Sequence, residues 1–193
     1  PDSGWRMVDT LKSAKRVPMS RVDHAWLRME RPTNLMMITG VMMFESPVDI
    51  HRLRKVIRDR FMSYPRLRQK VVETATGTFW QEDADFDLEY HVRLSALPGK
   101  GDKQSLERFV SQMASTPLDK TKPLWQFHLV EKYDGGSALI MRIHHCYADG
   151  IALVQVLLSM TDSEAKPSKH ESLARTWLKQ DGSAVQARMG AID

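Results

Sequence analysis

An α/β fold, with a mixed β-sheet flanked by helices, is the class this chain predicts, on three observations. Strand-like apolar runs, such as Leu35 to Phe44 and the alternating Trp125, Phe127 and Leu129, are interleaved with helical spacings such as Ile50, Leu53, Ile57 and Phe61. The two patterns alternate along the chain instead of segregating, as expected where helices pack on a sheet. A length of 193 residues with 42% hydrophobic and 27% charged content is enough for one sizeable core.

The elements follow in order. Residues 1 to 17 carry Trp5, Val8 and Leu11 beside Lys12, Lys15 and Arg16, the pattern of a short basic amphipathic helix, so 1–18 reads as an N-terminal extension. Ser20 predicts the N-cap of a helix running to Glu30, with Asp23 at the capping-box position and Pro32 ending the helix. Leu35 to Phe44 predicts a strand, in which Gly40 marks a bulge or a close backbone approach. Asp49 caps the helix of Ile50, Leu53, Ile57 and Phe61, whose opposite face is basic. Gln69 to Thr74 and Thr78 to Gln81 read as strands flanking a turn at Ala75-Thr76-Gly77, and Leu88 to Leu94 as a further strand.

Gly99 to Lys103 is a predicted loop, and Leu106, Phe109, Val110 and Met113 mark a second amphipathic helix. Pro117 and Pro123 bracket a connection to the strand that starts at Trp125 and turns at Asp134-Gly135 into Ser137 to His145. Ile151 to Met160 is apolar around most of its circumference, which predicts a well-buried helix. After Thr161 the composition turns polar and includes Pro167. Residues 162–193 therefore read as an interdomain linker, with a short helix over Leu173 to Lys179, and 19–161 as the domain proper.

The most informative stretch is His144-His145-Cys146-Tyr147-Ala148-Asp149-Gly150, at the junction of the last strand and the last helix. Its four fixed residues would coincide about once in a thousand chains of this composition. Imidazole, with an ordinary pKa of about 6.5, can take a proton from an attacking alcohol or amine near neutral pH. A carboxylate four residues on can hold the geometry by binding the base or an arginine, and a glycine lets the chain turn into a helix. The alternatives are a metal pair or two structural histidines. Neighbouring strand residues point to opposite faces, which disfavours one shared metal. The expectation is one histidine open to a tunnel and the other buried in support. Trp125 lies early on the partner strand, where it either lines a substrate pocket or belongs to the core.

Other classes find little support. There is no apolar run of about 18 residues, so no transmembrane span is expected, and no secretory signal is apparent. The single cysteine, Cys146, excludes an internal disulfide and suits a reducing cytoplasm; it reads as filler in the motif, not as a nucleophile. No Gly-rich phosphate loop, Cys-rich metal pattern or repeat is present. The net charge of +4 is unevenly spread: eight Lys or Arg and one acid lie between Arg52 and Lys70, and five acids lie between Glu82 and Glu89. The basic stretch reads either as a solvated face or as an attraction for phosphate groups or an anionic membrane. Without aromatic platforms beyond Phe61 and Tyr64, it does not read as a nucleic-acid surface.

The HHxxxDG pattern of His144, His145, Asp149 and Gly150 resembles the signature of the CoA-dependent acyltransferase superfamily. Within it, the bacterial wax ester synthase/diacylglycerol acyltransferase family fits best, because further motifs occur in order. These are Ser20-Arg21-Val22-Asp23 followed by Trp26 and Glu30, then Tyr64-Pro65-Arg66-Leu67-Arg68, then Pro123-Leu124-Trp125 running into Leu129-Val130-Glu131. The resemblance covers residues 19 to 160 and implies a chloramphenicol-acetyltransferase-like N-terminal domain, half of a molecule whose C-terminal domain forms the other wall of a tunnel. It implies transfer of a fatty acyl group from acyl-CoA to a long-chain alcohol or diacylglycerol. His145 would be the general base, His144 and Asp149 its supports, and Gly150, Pro123, Leu124 and Trp125 structural. It implies acyl-CoA as substrate, no bound cofactor, no metal, no nucleic acid, and a cytoplasmic protein able to sit at a membrane or lipid-droplet surface. A condensation-type transferase using carrier-bound thioesters, a non-catalytic lipid-binding half and a site shared between subunits of a trimer remain alternatives.

Overall fold

The computed structural model describes residues 16–99, 101–147 and 150–160. Seven strands and five helices follow one another there: β1 (Arg16–Pro18), α1 (Arg21–Met29), β2 (Met37–Phe44), α2 (Ile50–Asp59), β3 (Gln69–Thr74), β4 (Gly77–Glu82), α3 (Leu88–His91), β5 (Val92–Leu94), α4 (Lys103–Ser115), β6 (Trp125–Tyr133), β7 (Gly136–His144) and α5 (Gly150–Ser159). Tight 3-10 turns occupy Phe61–Ser63, Pro65–Arg68 and His145–Tyr147.

The β6–β7 hairpin is the centre of the fold. Asp134 (φ 48°) and Gly135 (φ 77°) both adopt the left-handed conformation that a two-residue type I′ turn requires, so Tyr133 pairs with Gly136. β7 then lies between β6 and β2, antiparallel to both, while β5 adds parallel to β6. The resulting four-stranded sheet, in the order β2-β7-β6-β5, is mixed, as predicted. A second sheet, β1-β4-β3, is wholly antiparallel.

Alternation separates the two faces of the larger sheet. Trp125, Phe127, Leu129, Leu139, Met141 and Ile143 face a core shared with Ile57, Phe61, Trp80, Leu153 and Val156. On the other face Val130, Ala138 and Ile140 meet Leu106, Phe109 and Val110 of α4. That face also carries the buried polar residues Gln126, His128, Arg142 and His144.

Side-chain caps start three of the helices, at Ser20 and Asp49 as the sequence predicts and at Asp102 within the predicted loop. The Ser20 hydroxyl accepts from the Asp23 amide (3.1 Å), and the Asp49 and Asp102 carboxylates accept from the Arg52 and Ser105 amides (both 2.9 Å).

Four expectations change. The strand read over Leu88 to Leu94 is a helical turn followed by a three-residue strand, because the Asp87 carboxylate accepts from the Glu89 amide (2.8 Å) and caps a turn. Arg16 and Val17 are not helical: they pair with Gln81 and Trp80 in the smaller sheet, which ties the end of the N-terminal extension into the fold, while residues 1–15 lie outside the described residues. Gly40 marks no bulge, since β2 and β7 pair without a break. A Cβ there would meet the Met141 methyl at 3.3 Å, so the glycine leaves room for that side chain. Finally, α5 is buried on one face only: Leu153 and Val156 are inside, but Val154 and Leu158 are 54% and 62% exposed. The linker and helix expected over residues 162–193 lie outside the described residues.

Among the described residues, Gly136 is the glycine at which backbone excludes a side chain. A Cβ there would overlap the Phe44 carbonyl oxygen, where β2 passes the start of β7. Gly136→Ala is therefore expected to cost about 2 kcal/mol or more in urea unfolding, because both strands must shift. Gly101, with nothing near its Cβ direction, is the contrasting site: Gly101→Ala should cost less, only the strain of its positive φ.

Candidate active site

The end of β7 is held by groups from distant segments. The His144 amide donates to the Leu124 carbonyl (3.0 Å), and the His145 amide to the Met36 carbonyl (2.8 Å). The Tyr147 hydroxyl, in the 3-10 turn that follows, donates to the Gln69 carbonyl (2.6 Å) and accepts from the Leu124 amide (3.0 Å). Its ring stands edge-on to Trp80 at 4.9 Å, and the Arg66 guanidinium covers that indole at 4.4 Å. Burial raises the Tyr147 phenol well above its ordinary pKa, so it stays protonated and able to donate.

The two histidines have different surroundings. His144 is 2% exposed. Its Nδ1 accepts from the Cys146 amide (3.1 Å), so in the neutral ring the proton sits on Nε2, which lies 3.0 Å from Glu30 Oε2. Burial pushes the His144 pKa down; the Glu30 carboxylate opposes this and does not overcome it. His145 is half-buried, and its ring stacks on Trp26 at 4.6 Å with 18° between planes. Of its nitrogens, Nδ1 is buried without a hydrogen-bond partner. Ala148 and Asp149 lie outside the described residues; Gly150 opens α5.

Pro123, Leu124 and Trp125 are all buried. Trp125 belongs to the core: its indole N–H donates to the Leu67 carbonyl (2.7 Å), and its ring packs against Phe61, Phe127 and His91. Cys146 is 1% exposed, and burial raises its thiol pKa far above that of a reactive cysteine. Among the described residues no group of three His, Cys, Asp or Glu side chains could hold a metal, and no helix is long and apolar enough to cross a membrane.

Several residues of the site carried no assigned role in the sequence. Trp26 and Glu30 stand four apart on α1 and at its end, so they share one helix face, which meets both histidines. A carboxylate at a helix C-terminus opposes the helix dipole, the one sequence-level sign that Glu30 has partners. Those partners are His144 and Lys120, each 3.0 Å away. Tyr147 fills a variable position of the motif and gave no signal. Arg142 bonds Gln126 Oε1 (3.2 Å) and the Thr116 carbonyl, which seats the C-terminus of α4 on the sheet.

Residues 19–192 match the family model for the wax ester synthase/diacylglycerol acyltransferase catalytic domain. The chain belongs to that family. It is 30% identical over 156 residues to the probable diacylglycerol O-acyltransferase tgs3 of Mycobacterium tuberculosis, covering 77% of this chain and 58% of that protein. It is 33% identical over 147 residues to the O-acyltransferase WSD of Acinetobacter baylyi, covering 72% of this chain and 31% of that one. Among solved structures it resembles the wax ester synthase/diacylglycerol acyltransferase of Marinobacter aquaeolei VT8, with TM-score 0.67, 27% identity, and 77% of this chain and 38% of that chain covered. The starter condensation domain of rhizomide synthetase RzmA has the same fold, with TM-score 0.67, 14% identity, and 91% of this chain and 48% of that chain covered. The chain thus spans only a part, 58% and 31%, of the length of these two curated relatives.

Two outcomes follow for this wax ester synthase/diacylglycerol acyltransferase family domain. Tyr147→Phe leaves the Leu124 amide and the Gln69 carbonyl without their partner, and is expected to cost about 1–3 kcal/mol in chemical denaturation. The pH dependence of stability is set in part by three buried histidines. Burial lowers His91 and His144, while burial together with the Arg142 and Arg93 charges lowers His128 to about 4. All three are neutral when folded and free to protonate near pH 6.5 when unfolded, so the unfolded state gains protons first. Their contribution is complete above about pH 6.5 and declines as the pH falls below it; for His128 the decline runs down to about pH 4 and is on the order of 3 kcal/mol. Urea unfolding at pH 7 and pH 5 should show this loss, and His128→Gln should reduce the difference between the two.

Proposed function

We propose that this domain carries the general base of an acyl-CoA-dependent O-acyltransferase whose acceptor is a long-chain alcohol or diacylglycerol. The observation that supports it most is the contrast between the two rings: His144 is sealed in and neutral, while His145 is only half-buried at the strand end, with its flat face on Trp26. In this reading His145 acts through Nε2, the nitrogen away from its buried Nδ1, which carries the ring proton of the neutral form.

The acceptor hydroxyl gives its proton to Nε2 as its oxygen attacks the thioester carbonyl. The new C–O bond forms, the C–S bond breaks, and the imidazolium returns the proton to the departing CoA sulfur. The products are an ester, which is a wax ester or a triacylglycerol, and free CoA. No acyl-enzyme forms, in keeping with the buried, protonated state of Cys146. Asp149 and Gly150 hold the motif, and a C-terminal domain supplies the facing wall of the substrate channel. The apolar side chains left exposed on α1 and α5, Val22, Met29, Val154 and Leu158, suit such a covering or a lipid surface.

The test uses the whole protein with palmitoyl-CoA and either hexadecanol or dipalmitoylglycerol, products being identified by mass spectrometry. His145→Ala is expected to lower turnover by about 10²–10⁴-fold with an unchanged far-UV CD spectrum. Turnover retained in that variant removes His145 from the mechanism. Binding of the variant and wild type to vesicles without any ester formed would favour a lipid-binding role.

A further inference from the structure

We infer that Glu30 is a positioning residue that selects the tautomer of His144, and through it the turn that presents His145. The inference rests on His145 being the base. Cys146 N–H donates to His144 Nδ1 across 3.1 Å, and this bond closes the turn in which His145 sits. It exists only while Nδ1 has a free lone pair. In the neutral ring the proton must then be on Nε2, since an imidazole holding its proton on Nδ1 would set two N–H donors against each other.

Within the turn the Cys146 amide favours that form, and it does so only while the turn is closed. Glu30 Oε2 favours it from outside the turn: its negative charge lies 3.0 Å from His144 Nε2, off the line of a hydrogen bond, and stabilises the ring protonated there. The other oxygen of Glu30 pairs with Lys120 at 3.0 Å, so the carboxylate is held from the connection that leads into β6. The charged groups acting on His144 are thus Glu30, Lys120 and His145, of which Glu30 alone strengthens its hold on a proton. One turn earlier on α1, Trp26 stacks on His145, so a shift of the helix end moves both rings together.

A matched pair of substitutions in the whole protein tests this. Glu30→Gln keeps an acceptor oxygen in place, while Glu30→Met keeps the volume without one. Two readouts are taken: steady-state kinetics, and the histidine tautomer from long-range ¹H–¹⁵N correlation spectra, with His144 assigned by loss of its signals in His144→Gln. Wild type should show the Nε2–H form alone. Glu30→Gln should retain that form with kcat within about threefold of wild type. Glu30→Met should show mixed forms and a kcat lowered about ten- to hundredfold, with KM little changed, the scale on which a displaced reacting group loses rate. A wild-type His144 protonated on Nδ1 overturns the inference whatever the variants do. So does a Glu30→Met protein with wild-type kcat and tautomer, or one that loses only stability. Turnover surviving in His145→Ala sinks the reading of the base instead and leaves the tautomer result standing.

Discussion

The bonds that hold the end of β7 are the constraint on which the rest of the site depends. A strand that leaves its sheet loses its ladder partners, and unpaired backbone groups in a buried place are costly. Here each is taken up at once: the His144 amide by Leu124, the His145 amide by Met36, the Cys146 amide by the His144 imidazole. Tyr147 joins the turn to two further segments through a single hydroxyl. The imidazole of His145 is therefore carried by backbone held in one place, as the proposed proton transfer requires.

That anchoring explains why distant motifs accompany the histidine pair. Pro123-Leu124-Trp125 contributes both backbone groups of Leu124 to the turn and the Trp125 indole to the core beneath. The segment after Tyr64 contributes the Leu67 carbonyl to Trp125 and the Arg66 guanidinium over Trp80, the ring against which Tyr147 packs. The Ser20 cap starts the short helix α1, whose far end delivers Trp26 and Glu30. Motifs separated by more than a hundred residues are thus parts of one support.

The larger sheet is chemically two-sided, and this guards its register. One face is apolar; the other buries Gln126, His128, Arg142 and His144. A slip of β7 by one residue would turn Arg142 and His144 into the apolar core, a far larger penalty than a slip in a uniformly apolar strand. Arg142 has no carboxylate beside it among the described residues. Its charge is met by the Thr116 carbonyl at the C-terminus of α4, the negative end of that helix, so the cation fixes where α4 sits.

Local chemistry alone was enough to read most of the elements: the caps at Ser20 and Asp49, the hairpin turn at Asp134-Gly135, the apolar periodicities, and the strand-to-helix junction that holds the histidine pair. Those signals act over a few residues, and they survive into the fold. Where the reading failed, a single capping side chain at Asp87 outweighed an apolar run, and a pairing partner sixty-five residues away drew Arg16 into a sheet. The partners inside the site were beyond reach for a related reason. That Tyr147 meets Gln69, that Glu30 meets both Lys120 and His144, and that Arg142 caps α4 depend on how elements cross in space. Residue types along the chain determined which groups could do chemistry here; only the tertiary structure decided which of them face one another, because hydrogen bonds and charge contacts act over ångströms and not over sequence distance.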